Sequence, residues 1–117
     1  MENEIEINGI KYIRKDDLAK NEQGLDYVVV RGDRSGVFAG YLFIRENREV
    51  TLQQCRRLWY WDGAASISDI ARKGLSKPEN CKFAAPIKSI LILDAIEVLY
   101  CTEDAKKSIE GVAIWTR

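Results

Sequence analysis

The sequence predicts an α+β fold, an antiparallel β-sheet core carrying two short α-helices. Three observations lead there. Runs of β-branched and aromatic residues come first and in succession, helix-like stretches come late, and an early Asn-Gly pair marks a tight hairpin. Strands alternating with helices would instead signal a parallel sheet. With 117 residues, the chain has room for one domain, 1–117, and little for a second. No internal repeat, low-complexity tract or linker divides it.

Glu4-Ile5-Glu6-Ile7 alternates polar and apolar residues, Asn8-Gly9 follows, and Ile10-Lys11-Tyr12-Ile13 is the second arm. Asn-Gly tolerates positive φ at both turn positions, so a type I′ hairpin is expected. Lys15 to Leu25 is polar and reads as a loop. Asp26 to Arg31 is β-branched and reads as a buried strand. Gly32-Asp33-Arg34-Ser35-Gly36 is a turn lacking the phosphate-loop signature. Val37 to Arg45 is a further strand, with a bulge or close backbone approach expected at Ala39-Gly40. After a turn at Glu46-Asn47-Arg48, Glu49 to Trp61 reads as a long strand.

Asp62-Gly63-Ala64-Ala65 leads into a short helix. Ser66 or Ser68 can cap it, Ser66 with Asp69 forming an S-x-x-D pattern; Ile67, Ile70 and Ala71 supply an apolar stripe, and Gly74 ends it. Ser76 to Ala85 is irregular. Ser89 to Leu93 reads as a buried strand, and Ile96 to Tyr100 as another. Thr102 is placed to cap a second helix, whose Ala105, Ile109 and Val112 share a face. Gly111 is awkward within a helix, which leaves Ala113-Ile114-Trp115 as a short closing strand.

Hydrophobic residues make up 46% of the chain, enough for a core without metal or disulfide staples. Lys plus Arg equals Asp plus Glu at 18 each, so the formal net charge is zero. That balance argues against a protein that coats duplex DNA. It leaves little charge repulsion against self-association, and a homo-oligomer is expected. No apolar run approaches the ~20 residues of a membrane span. The acidic, alternating start has neither the basic nor the apolar region of a secretory signal, so the expected location is the cytoplasm.

Cys55, Cys81 and Cys101 are far apart, and no C-x-x-C occurs. They read as reduced thiols in or near the core, with no metal site or cofactor. The chain has no histidine, so no Ser-His or Cys-His nucleophile can be assembled. Acid/base chemistry would fall to a tuned carboxylate, lysine or tyrosine. No catalytic residues are assigned, and binding without turnover is the expected role.

The segment Arg56 to Ser66, RRLWYWDGAAS, concentrates the binding chemistry. In an extended strand, Arg57, Trp59 and Trp61 share one face, and Arg56, Leu58 and Tyr60 the other. A guanidinium beside indoles suits a ligand that is both planar and anionic. Asp62 is placed to accept hydrogen bonds from ribose hydroxyls or a base amine. Gly63-Ala64-Ala65 lets a ligand approach the backbone, and a helix starting at Ser66 would turn free N–H groups toward a phosphate. The competing reading makes Trp59 and Trp61 an inner sheet face, with Arg56 and Arg57 at its rim. A second candidate is the loop Lys77 to Phe83, whose Lys77, Asn80, Lys82 and Phe83 could close over a ligand; the competing reading is a solvated connection pinned by Phe83.

RRLWYWDGAAS, followed by SKPENCKF (Ser76 to Phe83) and opened by EIEINGIKYIR (Glu4 to Arg14), resembles a family of small phage and prophage proteins along nearly the whole chain. That family resembles the first-described Thoeris anti-defence type, phage proteins that sequester the cyclic ADP-ribose signal of bacterial TIR-domain enzymes. The resemblance implies a homo-oligomeric sponge in the infected cell that binds a cyclic nucleotide, in some members also cyclic oligonucleotides, and releases it intact. It implies ligand roles for arginines, an aromatic and an asparagine, which Arg57, Trp59, Phe83 and Asn80 would fill. Three other readings stand beside it. One is a module that inhibits a host protein through its aromatic/Arg surface. Another is a single-strand nucleic-acid binder stacking bases on Trp59 and Trp61, and the last is a degrading enzyme.

Overall fold

The computed structural model describes residues 18–116, together with the backbone of two short strands nearer the start. These are β1 (Glu4–Ile7) and β2 (Ile10–Ile13), which pair antiparallel with Ile7 opposite Ile10. The hairpin is therefore present, while the Asn8-Gly9 turn itself lies outside the described residues. The main body is a six-stranded antiparallel sheet built from β3 (Tyr27–Gly32), β4 (Val37–Glu46), β5 (Glu49–Tyr60), β6 (Lys82–Phe83), β7 (Ile87–Ile92) and β8 (Ala95–Tyr100). Its order is β8-β3-β4-β5. The far edge of β5 is shared, with β7 along its first half and β6 along its second. Two helices, α1 (Ile67–Lys73) and α2 (Glu103–Gly111), complete an α+β architecture.

The sheet has two unequal faces. Tyr27 and Val29 of β3, Ala39 and Tyr41 of β4 and Leu58 of β5 meet Ile70, Ala71, Ala105 and Ile109 from the helices. On the helix-free face, Val28, Val30, Phe38, Val50, Leu52, Cys55 and Ile92 form a second cluster. A strand covered on both sides must be apolar at every position, which is why β3 reads as an unbroken hydrophobic run. Both helices begin as their sequences dictate. The Ser66 hydroxyl accepts the Asp69 N–H at 3.3 Å, and the Thr102 hydroxyl accepts the Ala105 N–H at 3.1 Å. Gly74 ends α1 at φ 80, where a side chain would also strike Ser108 of α2.

A β-bulge decides which residues of β5 face which side. Tyr41 lies opposite Gln53 and Ala39 opposite Arg56, so β5 carries one more residue than β4 over this stretch. Gln54 takes the left-handed φ of 50 that the extra residue requires. Gly40 accommodates the kink, because a Cβ there would lie 2.9 Å from the Gln53 carbonyl oxygen. Before the bulge the even-numbered Val50 and Leu52 enter the helix-free cluster; after it the odd-numbered Cys55 does. Arg56 and Leu58 are thereby turned toward the helices.

Two expectations are corrected. Of the stretch expected as a buried strand at Ser89 to Leu93, residues 89–92 belong to β7, of which Ile92 alone is buried; Ile87, Leu91 and, past the end of the strand, Leu93 are exposed. The reason is position: β7 lies at the sheet edge, with its outer face uncovered among the described residues. Ala113 to Trp115 forms no strand; Ile114 makes a single parallel bridge to Phe83. Among the described residues no helix is long and apolar enough to cross a membrane.

Candidate functional site

Once the bulge has set the phase, neighbouring arginines take opposite roles. Arg56 is 3% exposed. Its Nε donates to the Ala84 carbonyl at 2.8 Å, its Nη1 to Ile109 and Val112 at 2.9 and 2.8 Å, and its Nη2 to Phe83 at 3.2 Å. Burial lowers its pKa, an effect that the nearby Glu110 carboxylate partly offsets. Arg56 thus joins β5 and β6 to the end of α2, and its guanidinium is occupied by carbonyls instead of lying at a ligand-facing rim. Phe83 lies beneath it, wholly buried, with the guanidinium carbon 5.6 Å from the ring centroid.

Arg57 faces the helix-free side. Its guanidinium carbon lies 4.4 Å from the Phe38 centroid and 5.3 Å from the Trp59 centroid, within cation–π reach of both. Its Nη1 donates to the Ser35 carbonyl at 2.6 Å, which fixes the side chain without removing its charge. Trp59 is 60% exposed, an unusual state for the largest apolar side chain. Beside them a small hollow of about 120 Å³ is lined by Phe38, Cys55, Arg57, Ala84, Ile87 and Ile90. The expected Arg57–Trp59 pairing is present, and Phe38 is a partner that sequence reading treated only as a strand residue. Trp61 departs from the expected trio. β5 stops at Tyr60, and beyond it Trp61 packs against the helix-side core.

The remaining expected residues fall into two further groups. Asp62 and Asn80 are brought together, with the Asn80 amide donating to Asp62 Oδ2 at 2.9 Å while Oδ1 accepts the Gly63 N–H at 2.8 Å. The Asn80 hydrogen bond is the main cause holding the Asp62 carboxyl below its ordinary range. Cys81 Sγ accepts the Asp62 N–H at 3.5 Å, so the loop after β5 is clasped to the loop before β6. Ser66 caps α1, a helix of only seven residues. Lys82 stands apart, with Nζ 5.9 Å from the Tyr60 centroid and 5.5 Å from that of Trp115.

Sequence reading missed a larger feature on the helix-free side. A cleft of about 520 Å³ opens between the β4–β5 hairpin and β8, lined among others by Arg45, Asn47, Arg48, Ile96, Val98 and Tyr100. Its size falls within the range of small-molecule sites. The available signal was the pair of arginines flanking Glu46-Asn47, which local turn chemistry had already explained. Among the described residues no cluster of cysteines and carboxylates is arranged to hold a metal ion.

No curated protein and no solved structure matches the chain. Residues 25–109 match a family model described as "Domain of unknown function (DUF6948)", and the chain belongs to that family.

Proposed function

We propose that this protein captures a cyclic ADP-ribose-type nucleotide and holds it without cleaving it. The observation that carries the reading is the Arg57 guanidinium between Phe38 and the exposed Trp59. A fixed cation beside an accessible indole offers a phosphate a charge-assisted hydrogen bond and a base a stacking surface. Binding without turnover is supported by the chain's chemistry. It has no histidine, and burial pushes the Cys55 and Cys101 thiols up to about 12, far from a reactive thiolate. By the resemblance of RRLWYWDGAAS, the role would be a phage sponge in the host cytoplasm that blocks TIR-based Thoeris immunity, acting as a homo-oligomer.

Calorimetric titration with cyclic ADP-ribose isomers and cyclic oligonucleotides tests this, followed by heat release and mass analysis of the ligand. Intact ligand recovered from a tight complex supports the sponge. Hydrolysed ligand makes the protein an enzyme, and absence of binding to any of them ends the reading. Arg57→Ala is expected to weaken binding by about 1.5–3 kcal/mol, the loss of one charged hydrogen bond.

A second reading, an inhibitor of a host protein, is favoured by the large exposed side chains Trp59, Tyr60, Ile114 and Trp115. It requires retention of a host protein on the immobilised chain and indifference to nucleotides.

A further inference from the structure

We infer that the cleft between the β4–β5 hairpin and β8 is a binding site for a nucleoside diphosphate-type ligand, distinct from the Arg57–Trp59 face. The cleft has a cationic end and an apolar wall. At the cationic end, Arg45 stands near the end of β4 and Arg48 lies in the two-residue turn that follows, beside Asn47, which holds a φ of 53. Arg45 pairs with Val50 across the hairpin, and Val50 belongs to the helix-free cluster, so both look into the cleft. Glu46 and Glu49 form the next pair and, by strand alternation, point the other way. The acidic residues of this hairpin therefore do not neutralise the arginines.

Arg48 is anchored in place. Its Nε donates to the Ala95 carbonyl at 3.4 Å, and its own carbonyl accepts the Ala95 N–H at 3.0 Å. That contact uses the inner nitrogen and leaves the terminal nitrogens for a ligand. Arg45 has no ion-pair or hydrogen-bond partner through its side chain among the described residues. Glu97, the one carboxylate lining the cleft among the described residues, is paired with Arg31 at 2.7 Å. Two guanidinium groups facing one space are a standard complement to adjacent phosphates.

The wall suits the other end of such a ligand. Ile96, Val98 and Tyr100 alternate along β8, and Val98 and Tyr100 pair with Val30 and Val28, which belong to the helix-free cluster. Ile96 and Tyr100 remain 42% and 47% exposed. An accessible aromatic ring beside aliphatic side chains is a surface on which a flat base stacks. The volume of about 520 Å³ accommodates base, sugar and phosphates together.

Calorimetry with ADP and with inorganic pyrophosphate as probes tests the site, each variant checked for native circular dichroism. ADP is expected to bind the wild type at least tenfold more tightly than pyrophosphate. Arg45→Ala should weaken ADP binding tenfold or more, with partial recovery in Arg45→Lys. Tyr100→Ala should bring ADP down to the level of pyrophosphate. Arg72→Ala, an exposed charge on α1, serves as the control and should bind as the wild type does. Failure of ADP to bind, or unchanged affinity in Arg45→Ala, overturns the inference. Cyclic ADP-ribose is titrated in parallel. Loss of its binding in Arg57→Ala but not in Arg45→Ala, with ADP unbound, leaves the sponge standing and removes this site. Arg45-dependent ADP binding with no capture of cyclic ADP-ribose does the reverse.

Discussion

Arg56 Nη1 lies 2.9 Å from the carbonyl oxygen of Ile109, so a side chain from the middle of the longest strand closes the end of the second helix. The last carbonyls of a helix have no intrahelical donor and carry the negative end of its dipole. A buried guanidinium answers both needs and reaches Phe83 and Ala84 as well. Arg56→Ala removes these donors from a buried site and leaves the Ala84 and Val112 carbonyls without a partner among the described residues, while Ile109 and Phe83 keep the N–H groups of Val112 and Trp115. A loss of about 2–6 kcal/mol is expected in urea unfolding, at about 1–3 kcal/mol for each of the two acceptors left unsatisfied. Arg56→Lys should recover little, since an ammonium cannot reproduce the planar fork. A loss of unfolding free energy below about 1 kcal/mol would remove Arg56 from the structural role given to it.

Gly63 makes the clasp between Asp62 and Asn80 possible. It holds φ 86, and a Cβ there would lie 2.5 Å from the Lys77 backbone nitrogen and 2.7 Å from that of Ser76. Backbone atoms cannot rotate aside, so the loop must shift. Gly63→Ala is expected to cost about 1–3 kcal/mol from strain at this backbone position. Gly111, with nothing within 4 Å of the same added atom and an ordinary φ, provides the contrast. Gly111→Ala should be neutral or raise stability by up to about 1 kcal/mol, as alanine does within a helix. Equal losses in both variants, measured by denaturant titration, would contradict the role assigned to the clasp.

Asp94 couples two turns on opposite sides of the β3–β8 seam. Its Oδ1 accepts the Ser35 hydroxyl at 2.5 Å, and its Oδ2 accepts the Arg34 and Ser35 N–H groups at 2.8 and 3.1 Å. The Ser35 hydroxyl is the largest cause of a pKa below the ordinary carboxylate value. A depressed folded pKa means that the unfolded chain takes up the proton first as pH falls. The contribution is therefore complete above about pH 4, the ordinary aspartate value, and lost as pH falls through the folded pKa. Asp94→Ala should flatten the acid limb of the stability curve below about pH 4. Flattening should be partial, because Asp62 and Asp69 are shifted in the same direction. Superimposable curves for variant and wild type would exclude the coupling.

Local chemistry was legible in the sequence, and its spatial sorting was not. Ser66, Thr102 and Gly74 were readable as helix ends because capping depends on neighbours within four residues. The kink at Ala39-Gly40 was readable from the glycine, but the extra residue lies at Gln54 on the partner strand. That one residue decides that Arg56 enters the core while Arg57 meets Phe38. No periodicity within β5 reveals it, because register belongs to the pair of strands. The cleft at Arg45 and Arg48 was hidden for a similar reason: its other wall, Ile96 to Tyr100, is about fifty residues away in the chain. Asp62 and Asn80 each read as a ligand group in the sequence, and the fold joins them to each other.

The uncovered face of β7 bears on how many copies of the chain act together. Ile87 and Leu91 of β7 are 49% and 55% exposed, and Leu93, just past the end of the strand, is 65% exposed. An apolar stretch on an edge strand exposes both side chains and unpaired backbone groups, the combination that draws another strand alongside. The zero net charge supplies no repulsion against it. Self-association through this edge is the expected outcome for the wild type in light scattering across a concentration series. Leu91→Lys places a charge in the middle of the stretch and should shift the mass toward the monomer. Because Leu91 is exposed within the chain, unfolding of the isolated monomer should be unchanged to within about 0.5 kcal/mol, as for other surface substitutions. A wild type that stays monomeric, or a variant that keeps its oligomeric mass, would place self-association elsewhere or remove it. A monomeric Leu91→Lys that still binds its nucleotide fully would show that no site depends on the second copy.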